Sequence, residues 1–180
     1  MRILLMGFLF SLFSKSSDAQ SIPKSIYDFK VKALDESVIN FASFKGKKIL
    51  IVNTASKCGY TPQYKNLEAL HQRYIDQLVI VGFPANNFLW QEPGDNATIA
   101  EFCQKNYGVS FVMAGKISVK GNDMAPIYQW LTQKKDNHNS NSSVKWNFQK
   151  YLIDEKGNLI QMFSPGVDPL DAAIIQAIEK

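Results

Sequence analysis

From Lys48 to Thr54 the chain reads KILIVNT, and from Leu78 to Phe83 it reads LVIVGF. A strand with one wet face alternates apolar and polar side chains, and neither run does so. Both therefore suit strands covered on two faces, as in a parallel sheet. Between them, Thr61-Pro62 supplies an N-cap residue followed by proline at the first helical position. Leu67, Leu70, His71 and Tyr74 then recur at the spacing of one helix face. The stretch is a strand–helix–strand unit, and its crossover is expected to be right-handed.

The rest of the chain extends that unit. Asp95 or Asn96 caps an expected helix from about Ala97 to Asn106, Lys116 to Val119 reads as a short strand, and Met124 to Leu131 as a short helix. Phe148 to Ile153 and Leu159 to Phe163 flank the turn sequence DEKGN and predict an antiparallel hairpin. Asp168 or Pro169 opens a last helix. A parallel core, a hairpin and flanking helices make an α/β domain with a mixed central sheet. At 180 residues and 46% hydrophobic content, one such domain buries an adequate core without cross-links. The net charge of +4 comes from scattered lysines, the densest group being Lys45, Lys47 and Lys48. That is a solvated basic surface rather than a nucleic-acid track.

The N-terminus reads as an address. Arg2 precedes an apolar run, Ile3 to Phe13, and then a small polar stretch with Ser17-Asp18-Ala19 as a cleavage site. That layout predicts a secretory signal peptide over residues 1–19, removed to leave a single domain over 20–180 and to place it in the periplasm or a secretory route. The alternative is an uncleaved membrane anchor formed by residues 3–13. Export brings an oxidising compartment, in which the two cysteines, Cys58 and Cys103, suggest a disulfide.

Cys58 stands just past the first apolar strand and just before the helix, at the edge where open α/β sheets gather reactive groups. The free N–H groups of a helix start favour a thiolate, Lys57 adds a positive charge if it points the same way, and Gly59 leaves the sulfur little steric cover. A buried, inert cysteine fits the same local sequence. There is no C-x-x-C pair, and no ligand set with metal spacing. His71 falls on the apolar helix face and His138 in the polar loop DNHNSNSS. A thiolate without a partner base retains one natural reaction, attack on a peroxide oxygen to give a sulfenic acid. That product needs a second thiol, and Cys103 is the only candidate.

Three blocks carry a resemblance. NTASKCGYTPQYKNLEAL, GFPANNFLWQEPGDN and VKWNFQKYLID, in that order, resemble the signature blocks of the glutathione peroxidases, and the likeness runs from about Ile26 to the C-terminus. It implies a thioredoxin-like fold. It also implies that Cys58 is the peroxidatic residue of a non-selenium member, completed as a catalytic tetrad by Gln91, Trp146 and Asn147. Side-chain amides and an indole N–H are neutral donors suited to holding a thiolate and polarising a peroxide. EFCQKNYGVSF is similar to the segment that carries the resolving cysteine in the thioredoxin-dependent branch, which would give Cys103 that role. The family often has FPCNQF where this chain has FPANNF, with Ala85 and Asn87 at the differing positions. The stretch between Leu131 and Trp146 is short, as in monomeric or dimeric members.

The cycle so implied needs no cofactor. Cys58 reduces hydrogen peroxide or an organic or lipid hydroperoxide, Cys103 condenses with the resulting sulfenic acid, and a thioredoxin-like dithiol, or glutathione, reduces the disulfide. Leu89 and Trp90 beside Gln91 suggest an apolar rim for lipid hydroperoxides or for the partner. Two other readings compete with the enzyme: an exported domain stapled by a permanent Cys58–Cys103 disulfide, and a peroxide-sensing relay that oxidises a client protein.

Overall fold

The structure is a computed structural model and describes Pro23 and residues 25–180. The expected signal peptide and the alternative anchor both lie outside the described residues. Two short strands, β1 (Lys30–Lys32) and β2 (Val38–Asn40), form an antiparallel pair near the start. Each has three residues with little apolar pattern, too short for a sequence signal. The main sheet has five strands in the order β5-β4-β3-β6-β7, comprising β3 (Lys48–Thr54), β4 (Leu78–Pro84), β5 (Val112–Met113), β6 (Lys150–Ile153) and β7 (Leu159–Phe163). β3, β4 and β5 run parallel to one another, while β6 runs antiparallel to β3 and β7 to β6. The helices are α1 (Gln63–Arg73), α2 (Asn96–Tyr107), α3 (Pro126–Thr132), α4 (Lys134–Asn137) and α5 (Ala172–Glu179).

The unbroken apolar run of β3 now has its reason. Ile49 and Ile51 point into a cluster with Phe83, Tyr128, Trp130 and Tyr151 on one face of the sheet. Leu50 and Val52 point into a second cluster with Leu67, Leu70, Ile99 and Ile174 on the other. β4 divides in the same way, Val81 and Phe83 on the first side and Leu78 and Ile80 on the second. Each of these fully buried side chains contributes about 1.5–3 kcal/mol of transfer free energy. The sheet is therefore one wall shared by two cores, and its strand ends are fixed from both sides. Gly82 lets the edge strand approach, since a Cβ there would meet the thioether of Met113.

Five expectations about element bounds differ from the structure. Thr61 does not cap α1, because its hydroxyl is taken by the loop before it; α1 instead starts from Pro62 after a run of N–H bonds to carbonyls three residues back. No strand forms over Lys116 to Val119. β4 ends at Pro84, the Ile117 N–H bonds the Pro84 carbonyl, and the Val119 N–H goes to Oδ1 of Asn87, leaving β5 as the edge strand. β6 begins at Lys150 rather than Phe148, whose φ of +67° is incompatible with a strand. The helix expected from Met124 starts at Pro126, and the last helix is capped by Asp171, while Asp168 bonds Asn66 and the Leu170 N–H. The cap of α2 is Asp95, whose Oδ1 accepts the Thr98 N–H at 2.8 Å.

Candidate active site

Past Thr54 the chain leaves β3 and turns sharply, and Thr61 holds the turn. Its Oγ1 accepts the Cys58 N–H at 3.0 Å and donates to the Ala55 carbonyl at 2.8 Å. The Tyr60 N–H points back at Cys58 Sγ at 3.4 Å, a donor aimed at the sulfur. Cys58 is buried, 7% exposed, at the rim of the second core cluster. Gly59 next to it is exposed, and a Cβ added there would meet nothing within 4 Å. The Lys57 side chain is exposed and lines a cleft in front of Glu92; no hydrogen bond joins it to the thiol among the described residues.

A second segment lies against this loop. The Lys57 N–H donates to the Gln91 carbonyl at 2.9 Å, and Ser56 Oγ donates to Glu92 Oε1 at 2.6 Å. Two consecutive residues of the Cys58 loop are thus tied to two consecutive residues of the other. Leu89 and Trp90 just before have φ of +50° and +52°, a left-handed pair that costs about 1–2 kcal/mol per residue. They are also 68% and 78% exposed. The Gln91 N–H returns to the Phe88 carbonyl, and the Glu92 N–H to Asn86 Oδ1. The strained backbone presents two bulky side chains to solvent while keeping Gln91 and Glu92 turned inward. Asn87, one of the two departures from the family pattern, holds the segment after β5 through Ser118, Val119 and Lys120; Ala85, the other, is fully buried.

The third segment comes from the residues before β6. Asn53, a polar residue inside the apolar β3, donates through Nδ2 to the Trp146 carbonyl at 3.1 Å, and its own carbonyl accepts the Phe148 N–H at 2.6 Å. These two bonds bracket Asn147 and turn it inward, with Phe148 strained at positive φ beside it. Asn147 is fully buried, and its Nδ2 donates to Gln91 Oε1 at 2.9 Å. That bond orients the Gln91 amide, because with the oxygen occupied the side outward to a ligand is the NH₂. The Trp146 ring packs on Phe88 with centroids 5.4 Å apart and touches both core clusters. Cys58, Gln91 and Asn147, far apart in the chain, therefore sit in one hydrogen-bonded assembly with Trp146 at its side. The N–H aimed at the sulfur itself is that of Tyr60 at 3.4 Å, and the Gln91 NH₂ and the Trp146 indole are further neutral donors on the neighbouring segments.

Cys103 is elsewhere in the same core cluster as Cys58, within α2 and nearly inaccessible. Both cysteines are free thiols. Burial pushes the Cys103 thiol up to about 11, with the Tyr64 hydroxyl pulling it down and the Glu92 carboxylate adding to the rise. The two histidines stand apart from this site. The His71 ring packs edge-on against Phe111 at 6.3 Å, and His138 is an exposed left-handed cap after α4. Reasoning from the sequence missed three residues that hold the geometry, Asn53, Ser56 and Glu92, and read a fourth, Thr61, as a helix cap. Asn53 had a signal, an amide in the middle of an otherwise apolar strand.

Residues 26–132 match the family model described as glutathione peroxidase. Among curated proteins, the glutathione peroxidase-like peroxiredoxin gpx1 of Schizosaccharomyces pombe is 49% identical over 139 residues, which is 77% of this chain and 87% of that protein. Among solved structures, Trgpx in its apo form is 38% identical and superposes with a TM-score of 0.66, over 87% of this chain and 96% of the other. A thioredoxin-like protein from Aeropyrum pernix, only 13% identical, superposes with a TM-score of 0.56 over 84% of this chain and 87% of the other, so the thioredoxin-like fold is shared well beyond sequence likeness.

Proposed function

The chain belongs to the glutathione peroxidase family, and on that premise we propose that it is a thiol peroxidase working through Cys58 and Cys103. The Cys58 thiolate attacks one peroxide oxygen, the O–O bond breaks, and an alcohol or water leaves as Cys58 becomes a sulfenic acid. The Gln91 amide NH₂ and the Trp146 indole N–H donate to the oxygen that gains charge, and buried Asn147 holds Gln91 in that orientation. The Cys103 thiol then attacks the Cys58 sulfur, water departs, and a disulfide joins the two. A thioredoxin-like dithiol, or glutathione, returns the pair to thiols by exchange. Residues 1–19 have the composition of a secretory signal, so the reductant we infer is an exported one.

One observation supports this reading above the others. The Lys57 N–H to Gln91 carbonyl bond and the Asn147 Nδ2 to Gln91 Oε1 bond join three remote segments at Gln91, beside the loop that carries Cys58. The Tyr60 N–H on Cys58 Sγ adds a donor at the sulfur itself, which an inert structural cysteine does not need. Resolution requires α2 to open, and α2 is suited to that, since Ile99 and Cys103 are its only fully buried side chains. The test is the intact mass of the reduced protein before and after one equivalent of hydrogen peroxide. Rapid loss of two hydrogens, with the bond mapped to Cys58 and Cys103, is expected; reduced protein that ignores peroxide would overturn the reading.

A further inference from the structure

Glu92 is the least economical residue near the site. It is fully buried, one carboxylate oxygen accepts from Ser56, and the other, Oε2, has no partner among the described residues. An unpaired buried polar atom costs about 1–3 kcal/mol, and more when charged. A glutamine would accept the same Ser56 bond without burying an acid, so the fold has no evident use for the carboxylate as such. The remaining question is what the acid does.

Its surroundings point in one direction. Glu92 lines a cleft of about 340 Å³ whose walls are Ser56 and Lys57 of the peroxidatic loop, Pro93 and Gly94, and Thr98, Ile99 and Phe102 of α2. Ile99 and Phe102 flank Cys103 on the helix, one turn before it and immediately before it. The cleft is the free space beside the very turn that must open for Cys103 to reach Cys58. The charged and titratable groups within electrostatic reach of Glu92 are Lys57 and Lys116, which favour its charged form, and Tyr64 and Cys103 across the core.

The geometry points to Glu92 as the proton acceptor for the Cys103 thiol during disulfide formation, an inference that rests on the resolving role given above to Cys103. The step balances. Glu92 takes the Cys103 proton as the sulfur attacks Cys58 Sγ, the Cys58 S–O bond breaks, and the departing hydroxide takes the proton back from Glu92 and leaves as water. The need for a base is clear, because even an ordinary thiol is mostly protonated near neutrality, and within the closed α2 burial pushes Cys103 further, up to about 11. Burial also raises Glu92 above the ordinary carboxylate range, against the opposing pull of Ser56, Lys116 and Lys57. That makes it a better base than an exposed glutamate.

The experiment follows disulfide formation after one equivalent of hydrogen peroxide, with a sulfenic-acid trap and intact mass, between about pH 5 and about pH 8. A thiol deprotonated only by solvent gains about tenfold in rate per pH unit throughout. With Glu92 as acceptor, the natural protein should level off once Glu92 is ionised. Glu92→Gln should keep rising across the range and lie at least about tenfold below the natural protein near neutrality. Ser56→Ala removes the hydrogen bond but keeps the acid, and should retain the levelling. The proposal falls if Glu92→Gln levels like the natural protein, if Ser56→Ala reproduces its defect, or if the natural protein itself never levels. That last reading needs no variant to fold. Cys103→Ser separates the two ideas: it should accumulate only the trapped sulfenic acid, and if it turns over fully the resolving role has failed rather than Glu92's.

Discussion

Cys58 and Cys103 share one apolar cluster but are held in opposite ways. Cys58 is held by direction: its N–H on Thr61, the Tyr60 N–H on its sulfur, and its loop tied through Ser56 and Lys57 to Glu92 and Gln91. Cys103 is held by concealment, inside a helix and with a thiol burial pushes to about 11. In the cycle proposed above, that difference is how two chemically identical side chains would divide a reaction. The one that meets peroxide must be oriented before the substrate arrives. The one that resolves has nothing to attack until Cys58 is oxidised, and concealment in α2 would keep it from other oxidants and partners until then.

The largest test of this contrast replaces each sulfur. Cys58→Ser should abolish peroxide consumption altogether, whereas Cys103→Ser should consume one equivalent and stop, read as a burst in stopped-flow peroxide loss. Equal behaviour of the two variants would erase the distinction. A smaller effect is expected from the donors around Cys58. Asn147→Ala frees the Gln91 amide to turn, and Gln91→Ala removes a donor; each should slow Cys58 oxidation about 10- to 100-fold while leaving the subsequent disulfide step unchanged. A defect confined to the second step would mean that these residues serve Cys103 and not Cys58.

Much of the scaffold behind this contrast is legible in the sequence, and the reason is burial. KILIVNT and LVIVGF specify strands with two covered faces, and the two clusters divided by residue parity along β3 are what that pattern means in space. The α2 cap at Asp95 and the hairpin about DEKGN are equally local signals. What lies hidden is governed by contacts remote in the chain. Thr61 reads as a cap because threonine before proline usually is one, yet its hydroxyl is spent on Ala55 and Cys58. Lys116 to Val119 reads as a strand, but Pro84 and Asn87 take its hydrogen bonds. Gln91, Trp146 and Asn147 carry no local signal, and only the family resemblance singles them out. Ser56 and Glu92 are invisible to both, because a buried acid is recognised by what surrounds it.

The smallest effect probes the concealment itself. α2 ends at Gly108, in the left-handed region at φ +60°, where its N–H bonds the carbonyls of Cys103 and Gln104. A Cβ there would meet nothing within 4 Å, so Gly108→Ala costs only backbone strain, about 1–2 kcal/mol. That strain falls on the last turn of the helix that hides Cys103. Alkylation of Cys103 in the reduced protein should quicken about 5- to 30-fold, with Cys58 oxidation unaltered. Dependence on urea then says which opening was measured. Local fraying of α2 exposes little surface and should make Cys103 labelling nearly insensitive to low urea, whereas global unfolding makes it as steep as the unfolding transition. A steep dependence would show that α2 opens only with the whole domain, and concealment by a separable helix could not then be how Cys103 is kept apart from Cys58.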